Sequence, residues 1–378
     1  MLGIVRLYTG GSGSIGYYNL QELALAKSII ANSDLDVIVF LLRERKQFPD
    51  TEIINIDNRI RIVYLPACSI GTHGIINPKF LRNYGVTIVH LNSDAQIYNF
   101  RIINWCLKNK IQVYAYVGTL ESDSRSRLRK YISRIIFNLN KISLNRIYNI
   151  AKTPYVFDEL IKKRIKNIKL IPVGLDLTDV RDLSNKDSRK LREKYGLPLQ
   201  DKLILFVGRL EEYKNPLMAL DIFKHIVKGN SRYSLLMVGN GPLKEKIISE
   251  VKNNSLEDNF FYIEKVPNNE IGELYRTSDV LINMNDREIY GMSILEAMYQ
   301  KCPVVAVEAP GPKFIIDNEK TGYIINGFNL EEWRVIIEKA IENRKYIGNN
   351  ANKKIIGELN SDTISKKYIS LYEELLGK

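Results

Sequence analysis

Short apolar runs alternate with amphipathic stretches along the first 172 residues. The runs are strand-length, and the stretches between them repeat apolar positions at helical spacing. We predict strands at 3–8, 37–42, 60–65, 87–91, 112–117 and 169–171, and helices at about 17–31, 98–109, 125–148 and 155–165. Strands that alternate with helices in this way are typical of a doubly wound α/β domain built on a parallel sheet.

The second half of the chain repeats this pattern. Strands are predicted at 203–207, 234–238, 260–263, 280–284 and 303–307, with a helix at 217–227 and an amphipathic helix at 361–378. Between the two halves, residues 177–201 are polar and carry charges of both signs, as expected of a linker followed by a first helix. We therefore predict two domains, residues 1–172 and residues 173–360.

Length and composition agree with two globular domains. A chain of 378 residues is too long for one typical core, and 45% hydrophobic with 26% charged residues excludes a disordered protein. Apolar runs are too short to span a membrane, and the N-terminus lacks a signal-peptide pattern, so a cytoplasmic protein is expected. The three cysteines and three histidines are scattered, which argues against disulfides and against a metal site.

The formal net charge of +12 is concentrated in one segment. Residues 125–169 hold thirteen basic residues and two acidic ones. Apolar residues such as Leu128, Tyr131, Ile132 and Ile135 recur among them at helical spacing. One interpretation is an amphipathic helix that binds an anionic membrane surface; another is a solvated basic face on a core-packing helix. A nucleic-acid surface ranks last, because no recognition motif accompanies the charge, and we expect no nucleic-acid partner.

Residues 279–312 combine two buried strands with a polar loop and a helix that opens near Tyr290 and Gly291. The free N–H groups at such a helix start suit a phosphate. Glu288 lies just before the helix, and Glu296 lies inside it, one turn below its first residues. A ligand with its phosphates on the helix end could offer a sugar hydroxyl to each carboxylate. Either Glu alone would be read as a solvated surface residue.

Two cations follow the strand predicted at 203–207. Arg209 and Lys214 leave the carboxyl end of that strand together, where ligands bind in doubly wound sheets. A guanidinium and an ammonium group at this place can bind a diphosphate. The alternative is a pair of ordinary surface cations.

A glycine-rich turn follows the first predicted strand. Gly11, Gly13 and Gly16 form a literal G-x-G-x-x-G between a strand and a helix. A dinucleotide-dependent oxidoreductase, with Glu44 on the ribose, is one explanation; a purely structural turn is another. The oxidoreductase interpretation leaves the 279–312 segment without a role.

Several motifs together resemble one enzyme family. The segment EIYGMSILEAM followed by CPVVAV, the stretch GRLEEYKNP, and LIPVGLD at residues 170–176 are similar to the signatures of retaining GT-B glycosyltransferases of family GT4. The resemblance implies an α/β protein of two Rossmann-like doubly wound domains that face each other across a cleft. The first would bind the acceptor and the second the nucleotide-sugar, with helix 361–378 crossing back to the first domain.

The implied reaction moves a sugar from a nucleotide-diphosphate sugar, with a UDP-sugar favoured, to an acceptor hydroxyl with retention. The acceptor would be a glycan or a polyprenyl-linked sugar of cell-envelope biosynthesis, handled in the cytoplasm or at the inner membrane face. A nucleotide-sugar epimerase of the same fold and a non-catalytic binding protein are the alternatives. No cofactor and no metal are expected, because the formal D-x-D at Asp34 and Asp36 precedes a strand instead of following one.

The resemblance also assigns residues to roles. The catalytic group comprises Glu288, Arg209 and Lys214. The donor-binding group comprises Glu296, Gly291, Met292, Ser293, Tyr290, Gly11, Gly13 and Gly239. His90 and Gly10 are assigned to the acceptor side. The chain departs from the family at two places. Many members have a histidine after the strand that follows the one with His90, where this chain has Gly118. A donor-binding Glu is usual where this chain has Gly311, Lys313 and Phe314.

Overall fold

The computed structural model describes residues 1–9, 21–93, 96–120, 127–178, 183, 186–229 and 231–377. The chain divides into two compact units. Unit 1 comprises Met1–Asp176 and Ser361–Lys378, and unit 2 comprises Leu177–Asn360. The first boundary thus lies four residues beyond the predicted one, and the last helix packs with the first part of the chain.

The described residues of unit 1 form a nine-stranded sheet with helices. Its strands are β1 (Leu2–Arg6), β2 (Val37–Glu44), β3 (Glu52–Asn55), β4 (Ile60–Ile70), β5 (His73–Ile75), β6 (Ile88–Asn92), β7 (Gln112–Val117), β8 (Tyr148–Ala151) and β9 (Ile168–Leu170). Its described helices are α1 (Gln21–Asn32), α2 (Phe80–Asn83), α3 (Asn99–Lys108), α4 (Arg127–Leu144), α5 (Pro154–Lys162) and α14 (Ser361–Leu376).

The sheet of unit 1 is mostly parallel, in the order β3-β4-β2-β1-β6-β7-β8-β9. Strands β3 and β5 pair with β4 in the antiparallel sense, which differs from the purely parallel sheet that we predicted. The central strands are buried on both faces because helices cover them. From α14, the side chains of Ile364, Tyr368, Leu371 and Tyr372 join the core beside β1 and β2.

The predicted helix 125–148 is too long at its C-terminus. Helix α4 ends at Leu144, and Tyr148–Ala151 forms β8 between β7 and β9. Asn149 is buried there and donates hydrogen bonds to the carbonyl oxygens of Leu144, Ile147 and Lys166. These bonds connect the helix end to the strand, and they depend on residues far along the chain, so local periodicity does not reveal the boundary.

Unit 2 is a six-stranded parallel sheet in the order β12-β11-β10-β13-β14-β15. Its strands are β10 (Lys202–Val207), β11 (Tyr233–Val238), β12 (Phe260–Ile263), β13 (Val280–Asn283), β14 (Val304–Val307) and β15 (Tyr323–Ile325). The described helices are α6 (Ser188–Lys194), α7 (Pro216–Gly229), α8 (Lys244–Asn253), α9 (Ile271–Thr277), α10 (Met292–Tyr299), α11 (Pro310–Ile315), α12 (Leu330–Glu342) and α13 (Arg344–Glu358).

Strand order places a topological switch point in unit 2. From β10 the chain proceeds to β11 and β12 on one side, and later from β13 to β14 and β15 on the other side. Strands β10 and β13 are neighbours, with Ile204 opposite Val280. In open α/β sheets, ligands bind in the crevice at the carboxyl ends of the strands at such a point. The loops after β10 and β13 are therefore the place to look for a site.

Candidate functional site

An ion pair joins the two loops at the switch point. Lys214 follows β10, Glu288 follows β13, and Lys214 Nζ lies 2.7 Å from Glu288 Oε2. The same carboxylate oxygen accepts a hydrogen bond from Asn285 Nδ2 at 3.1 Å. The side chains of Lys214 and Glu288 are 24% and 14% exposed. Both charges are thus partly withdrawn from water and placed where a ligand can reach them.

Asn215 fixes the position of Lys214. Its backbone is left-handed, with φ of 50°, a conformation that asparagine adopts more readily than most residues. Its side-chain Nδ2 donates to Met284 O at 2.9 Å, which connects the loop after β10 to the end of β13. Asn215 and Asn285 were missed by the sequence analysis, because their role depends on the adjacency of two strands far apart in the chain.

Arg209 is bonded to residues of its own loop. Its guanidinium is 65% exposed, donates to Glu211 Oε1 at 3.0 Å, and is also bonded to the hydroxyl of Tyr213. The Tyr213 ring has the Arg209 guanidinium 5.3 Å and the Lys214 ammonium 5.4 Å from its centroid. The structure therefore brings both predicted cations to one aromatic ring, which the sequence analysis did not single out.

The N-terminus of α10 completes this side of the site. Gly291 precedes the helix with φ of 106°, a conformation that L side chains rarely adopt, and an added Cβ would lie 2.8 Å from Ile294 Cδ1. Met292 and Ser293 are the first two helical residues, so their N–H groups have no partner within the helix. The end of α10 thus presents N–H groups and the positive end of the helix dipole.

The loop before α10 packs closely against α11. Gly311 N donates to Glu288 O at 2.7 Å, and a Cβ at Gly311 would lie 2.2 Å from Tyr290 O. Tyr290 is buried, with its ring centroid 6.3 Å from that of Phe314; burial raises the pKa of its hydroxyl. At the positions where this chain departs from the family, Gly311 and Phe314 therefore support the loop that carries Glu288.

Glu296 lies one turn into α10 and is half-buried. Its Oε2 accepts a hydrogen bond from the hydroxyl of Tyr275 in α9 at 2.9 Å. Burial and the nearby carboxylate raise the pKa of Tyr275 well above its usual value, so the phenol stays a donor. Tyr275 orients Glu296, and only the packing of α9 against α10 reveals this role.

Gly239 directly follows β11 and lies beside the loop after β10. Its φ is 140°, and an added Cβ would lie 1.9 Å from Gly208 O. Gly208 N donates to Val238 O at 3.0 Å, so the two loops run side by side at the carboxyl edge of the sheet. Glycine is required at 239 because the backbones approach so closely.

His90 lies in unit 1, in the middle of β6 and not at the end of a strand, and is buried. Its Nδ1 is 2.7 Å from Tyr114 Oη and its Nε2 is 3.2 Å from Asn92 Oδ1. Asn92 Nδ2 donates to Glu22, so the amide oxygen faces His90 and accepts its Nε2–H. Burial lowers the pKa of His90 to about 4, partly offset by the Asn92 bond. These contacts describe a neutral histidine in a polar network.

That network borders a cavity of about 50 Å³ inside unit 1, which has room for an ordered water molecule. His90, Asn92 and Glu22 line it together with residues of α14. Gly10, the other residue assigned to the acceptor side, lies outside the described residues. The same holds for Gly11 and Gly13, which were assigned to donor binding.

Part of unit 2 matches the model of a known protein family. The family model described as "Glycosyl transferases group 1" matches residues 187–354. N-acetyl-alpha-D-glucosaminyl L-malate synthase of Bacillus anthracis is 25% identical over 215 residues, which cover 56% of each chain. Alpha-monoglucosyldiacylglycerol synthase of Streptococcus pneumoniae is 23% identical over an alignment that covers 61% of this chain and 49% of the synthase. The matches thus span about half the length of these curated relatives.

Residues 187–354 form a glycosyl transferases group 1 domain.

This domain holds Arg209, Lys214, Glu288, Glu296 and the start of α10. Structure comparison extends over the whole chain. Sucrose-phosphate synthase of Thermosynechococcus elongatus aligns with a TM-score of 0.79 at 18% identity, covering 100% of this chain and 99% of the other. HepE of Anabaena in complex with UDP aligns with a TM-score of 0.77 at 16% identity and 99% coverage of both chains. The protein has the GT-B fold of these glycosyltransferases, as the sequence predicted.

Two further properties of the described residues bear on function. Among the described residues, no group of three or more His, Cys, Asp or Glu side chains could hold a metal ion. Asp36 of the formal D-x-D instead accepts a hydrogen bond from Arg59 at 3.3 Å. No helix in the part of the chain that the structure describes has both the length and the apolar character to cross a bilayer.

Proposed function

We propose that this protein transfers a sugar from a nucleotide-diphosphate sugar to an acceptor hydroxyl, with retention at the anomeric carbon. The Lys214–Glu288 pair beside the N-terminus of α10 is the observation that supports this most. Lys214 and the N–H groups of Met292 and Ser293 supply positive charge at one place. A diphosphate leaving group develops negative charge there, so these groups would stabilise it without a metal ion.

Glu288 would change partners when the donor binds. In the absence of donor it neutralises Lys214 at 2.7 Å. Phosphate oxygens at Lys214 would take over that role and leave the carboxylate to accept hydrogen bonds from hydroxyls of the donor sugar. Glu296, oriented by Tyr275, would accept from the ribose. The leaving phosphate oxygen would take the acceptor proton on the same face, so no side-chain base is assigned.

A UDP-sugar is the proposed donor, and the complex of HepE with UDP supports this choice. The proposed acceptor is a glycan or a polyprenyl-linked sugar used in cell-envelope polysaccharide synthesis. The name of one relative, alpha-monoglucosyldiacylglycerol synthase, denotes the synthesis of a glycolipid, which supports an acceptor that carries a lipid.

A thermal-shift screen of UDP-, GDP-, ADP- and TDP-sugars without metal tests the donor site. We expect one nucleotide class to stabilise the protein by about 2.7 kcal/mol when present at a hundred times its dissociation constant. Glu296→Ala should weaken this shift, because the ribose loses an acceptor. Glu308→Ala, which removes an exposed carboxylate of the same domain, should leave it unchanged.

Two outcomes would contradict the proposal. A shift with NAD and none with any nucleotide-sugar would mean that the glycine-rich turn binds a dinucleotide. Conversion of the donor sugar in the absence of any acceptor would indicate an epimerase. NMR of the transferred product then decides whether the anomeric configuration is retained.

Helix α4 supports a membrane surface as a further partner. One side of it packs into unit 1 through Ile136, Phe137 and Leu144, which are buried. The other side carries apolar side chains that are 44% to 78% exposed: Leu128, Tyr131, Ile132, Ile135, Leu139 and Ile142. A core-packing helix with a merely solvated basic face does not explain this second apolar stripe. We propose that the stripe enters the interface of an anionic membrane.

Replacing Ile132, Ile135 and Leu139 with Glu should release the protein from vesicles that contain phosphatidylglycerol. Each substitution removes apolar area and adds a charge that anionic lipid repels. Cosedimentation with vesicles measures the bound fraction. The matched control is Val335→Glu with Tyr346→Glu, which alters exposed apolar side chains of unit 2 and should have no effect. Unchanged binding of the α4 variant would contradict the membrane role, and so would sedimentation data that show the unmodified protein to be a dimer and the variant a monomer.

A further inference from the structure

A second and much larger opening lies in unit 1. It is a groove of about 870 Å³, lined by the carboxyl-terminal part of β4, the segment after β5, and α3. Its volume is within the range of ligand sites. Of the residues assigned above to donor binding or to the polar network of His90, none in the described part of the chain lines it.

The groove is lined by cations. Arg45, Lys79, Arg101 and Lys108 are all exposed, and among the lining residues that the structure describes there is no Asp or Glu. The neighbouring carboxylate of Glu44 is bonded to Ser69 and Gln47. Four positive charges that converge on one concavity attract an anionic ligand and raise its local concentration.

Aromatic rings share the groove with these cations. Tyr98 caps α3, and Trp105 lies seven residues later on the same side of the helix. Both are half-buried. The Arg101 guanidinium is 5.8 Å from the Tyr98 ring centroid, and the Arg82 guanidinium is 6.0 Å from that of Trp105. Flat apolar rings beside cations suit a ligand that is both ring-shaped and acidic.

We propose that this groove binds an acidic glycan, a chain of sugar rings that carry carboxylate or phosphate groups, as part of the acceptor. Sugar rings would pack on Tyr98 and Trp105 while the acidic groups contact Arg101 and Lys108. The inference rests on the proposed glycosyl transfer, which favours a glycan over single-stranded nucleic acid, the other polymer that stacks on aromatic rings in basic grooves.

The chain provides its own probes for this groove. It contains two tryptophans, Trp105 in the groove and Trp333, which is fully buried in unit 2. Of its three cysteines, all described, Cys68 lines the groove and is exposed, whereas Cys106 and Cys302 are buried. Acrylamide quenching of Trp105 and alkylation of Cys68 therefore both report on occupancy of the groove without any transfer assay.

A hexasaccharide of galacturonic acid should shield Trp105 from quenching and slow the alkylation of Cys68. Neutral maltohexaose and hexathymidylate should each bind at least about tenfold more weakly, the first for lack of charge and the second for lack of sugar-ring contacts. Trp105→Phe should abolish the fluorescence response. Equal binding of the neutral chain, or tighter binding of hexathymidylate, would overturn the inference.

Charge reversal locates the binding. Arg101→Glu with Lys108→Glu should weaken hexagalacturonate binding by about tenfold or more. Lys110→Glu, an equal change on an exposed lysine just past the end of α3, should leave it unchanged. Unaltered binding by the double variant would overturn the inference. All these variants should still be stabilised by the nucleotide-sugar, because the groove is separate from the donor site. If no nucleotide-sugar stabilises the unmodified protein, the proposed transfer is refuted, whereas glycan binding in the groove is tested independently.

Discussion

Lys214→Ala should lower kcat/KM for sugar transfer by about 10²–10³-fold, the usual effect of removing one group that stabilises a developing anion. The ammonium is at the switch point of unit 2, beside the free N–H groups of α10. Its loss would also leave the Glu288 carboxylate, 14% exposed, without its cation and facing the incoming diphosphate. Calorimetric titration with UDP should show weaker binding as well.

Glu288→Gln distinguishes the contribution of Glu288 to transfer from that of Lys214. It should lower transfer while UDP binds as tightly as before or more tightly, because Lys214 is no longer neutralised. Lys202→Ala is the matched control for Lys214, since Lys202 is exposed at the opposite end of β10. A kcat/KM of Lys214→Ala within threefold of the unmodified protein would contradict the role given to Lys214.

Asp279→Ala should destabilise unit 2 by about 3–5 kcal/mol, the usual cost of breaking a buried ion pair from one side. Asp279 precedes β13, and its carboxylate accepts from Arg192 Nη2 at 2.8 Å, Arg344 Nη1 at 2.7 Å and Leu203 N at 2.8 Å. The side chain of Arg192 is only 8% exposed. Without Asp279, its guanidinium would remain buried with carbonyl partners alone.

Urea denaturation measures this effect, followed by Trp333 fluorescence in a Trp105→Phe background so that only unit 2 is observed. Asp221→Ala breaks a partly exposed ion pair with Lys224 and should cost less than about 1 kcal/mol. Adding Arg192→Met to Asp279→Ala should recover part of the loss, because the orphaned charge is removed. A free energy of unfolding within about 1 kcal/mol of the parent would show that the ion pair is not needed for stability.

Hydrophobic patterning predicted the fold well where strands form continuous apolar runs. The runs at 112–117 and 260–263 coincide with β7 and β12. Strands β3, β5 and β8 are as short as β12 or shorter and lack such a run, because polar residues or a glycine interrupt them, so their pattern does not distinguish strand from helix or loop. Their existence depends on pairing with β4 and β7, which no local signal encodes.

In the candidate site, the sequence could predict individual residues but not the contacts between them. Spacing alone places Lys214 after one strand and Glu288 after another. Their pairing requires β10 beside β13, and this follows from strand order. Tyr213 and Tyr275 carried no signal, because an aromatic residue near a loop or inside a helix is usually a packing residue. Arg209, in contrast, was singled out from its motif. Its contact with Tyr213 could not be predicted, because it depends on the turn that follows.

The return of α14 to unit 1 has a consequence for the order in which a ribosome delivers the protein. Unit 1 lacks Ile364, Tyr368, Leu371 and Tyr372 until the last helix emerges, although Asp176 is made long before. At ordinary rates of translation the wait is roughly ten to forty seconds. Unit 2 is synthesised entirely within that interval and can finish folding first, so the nascent first domain is the part of the chain that would need protection by chaperones.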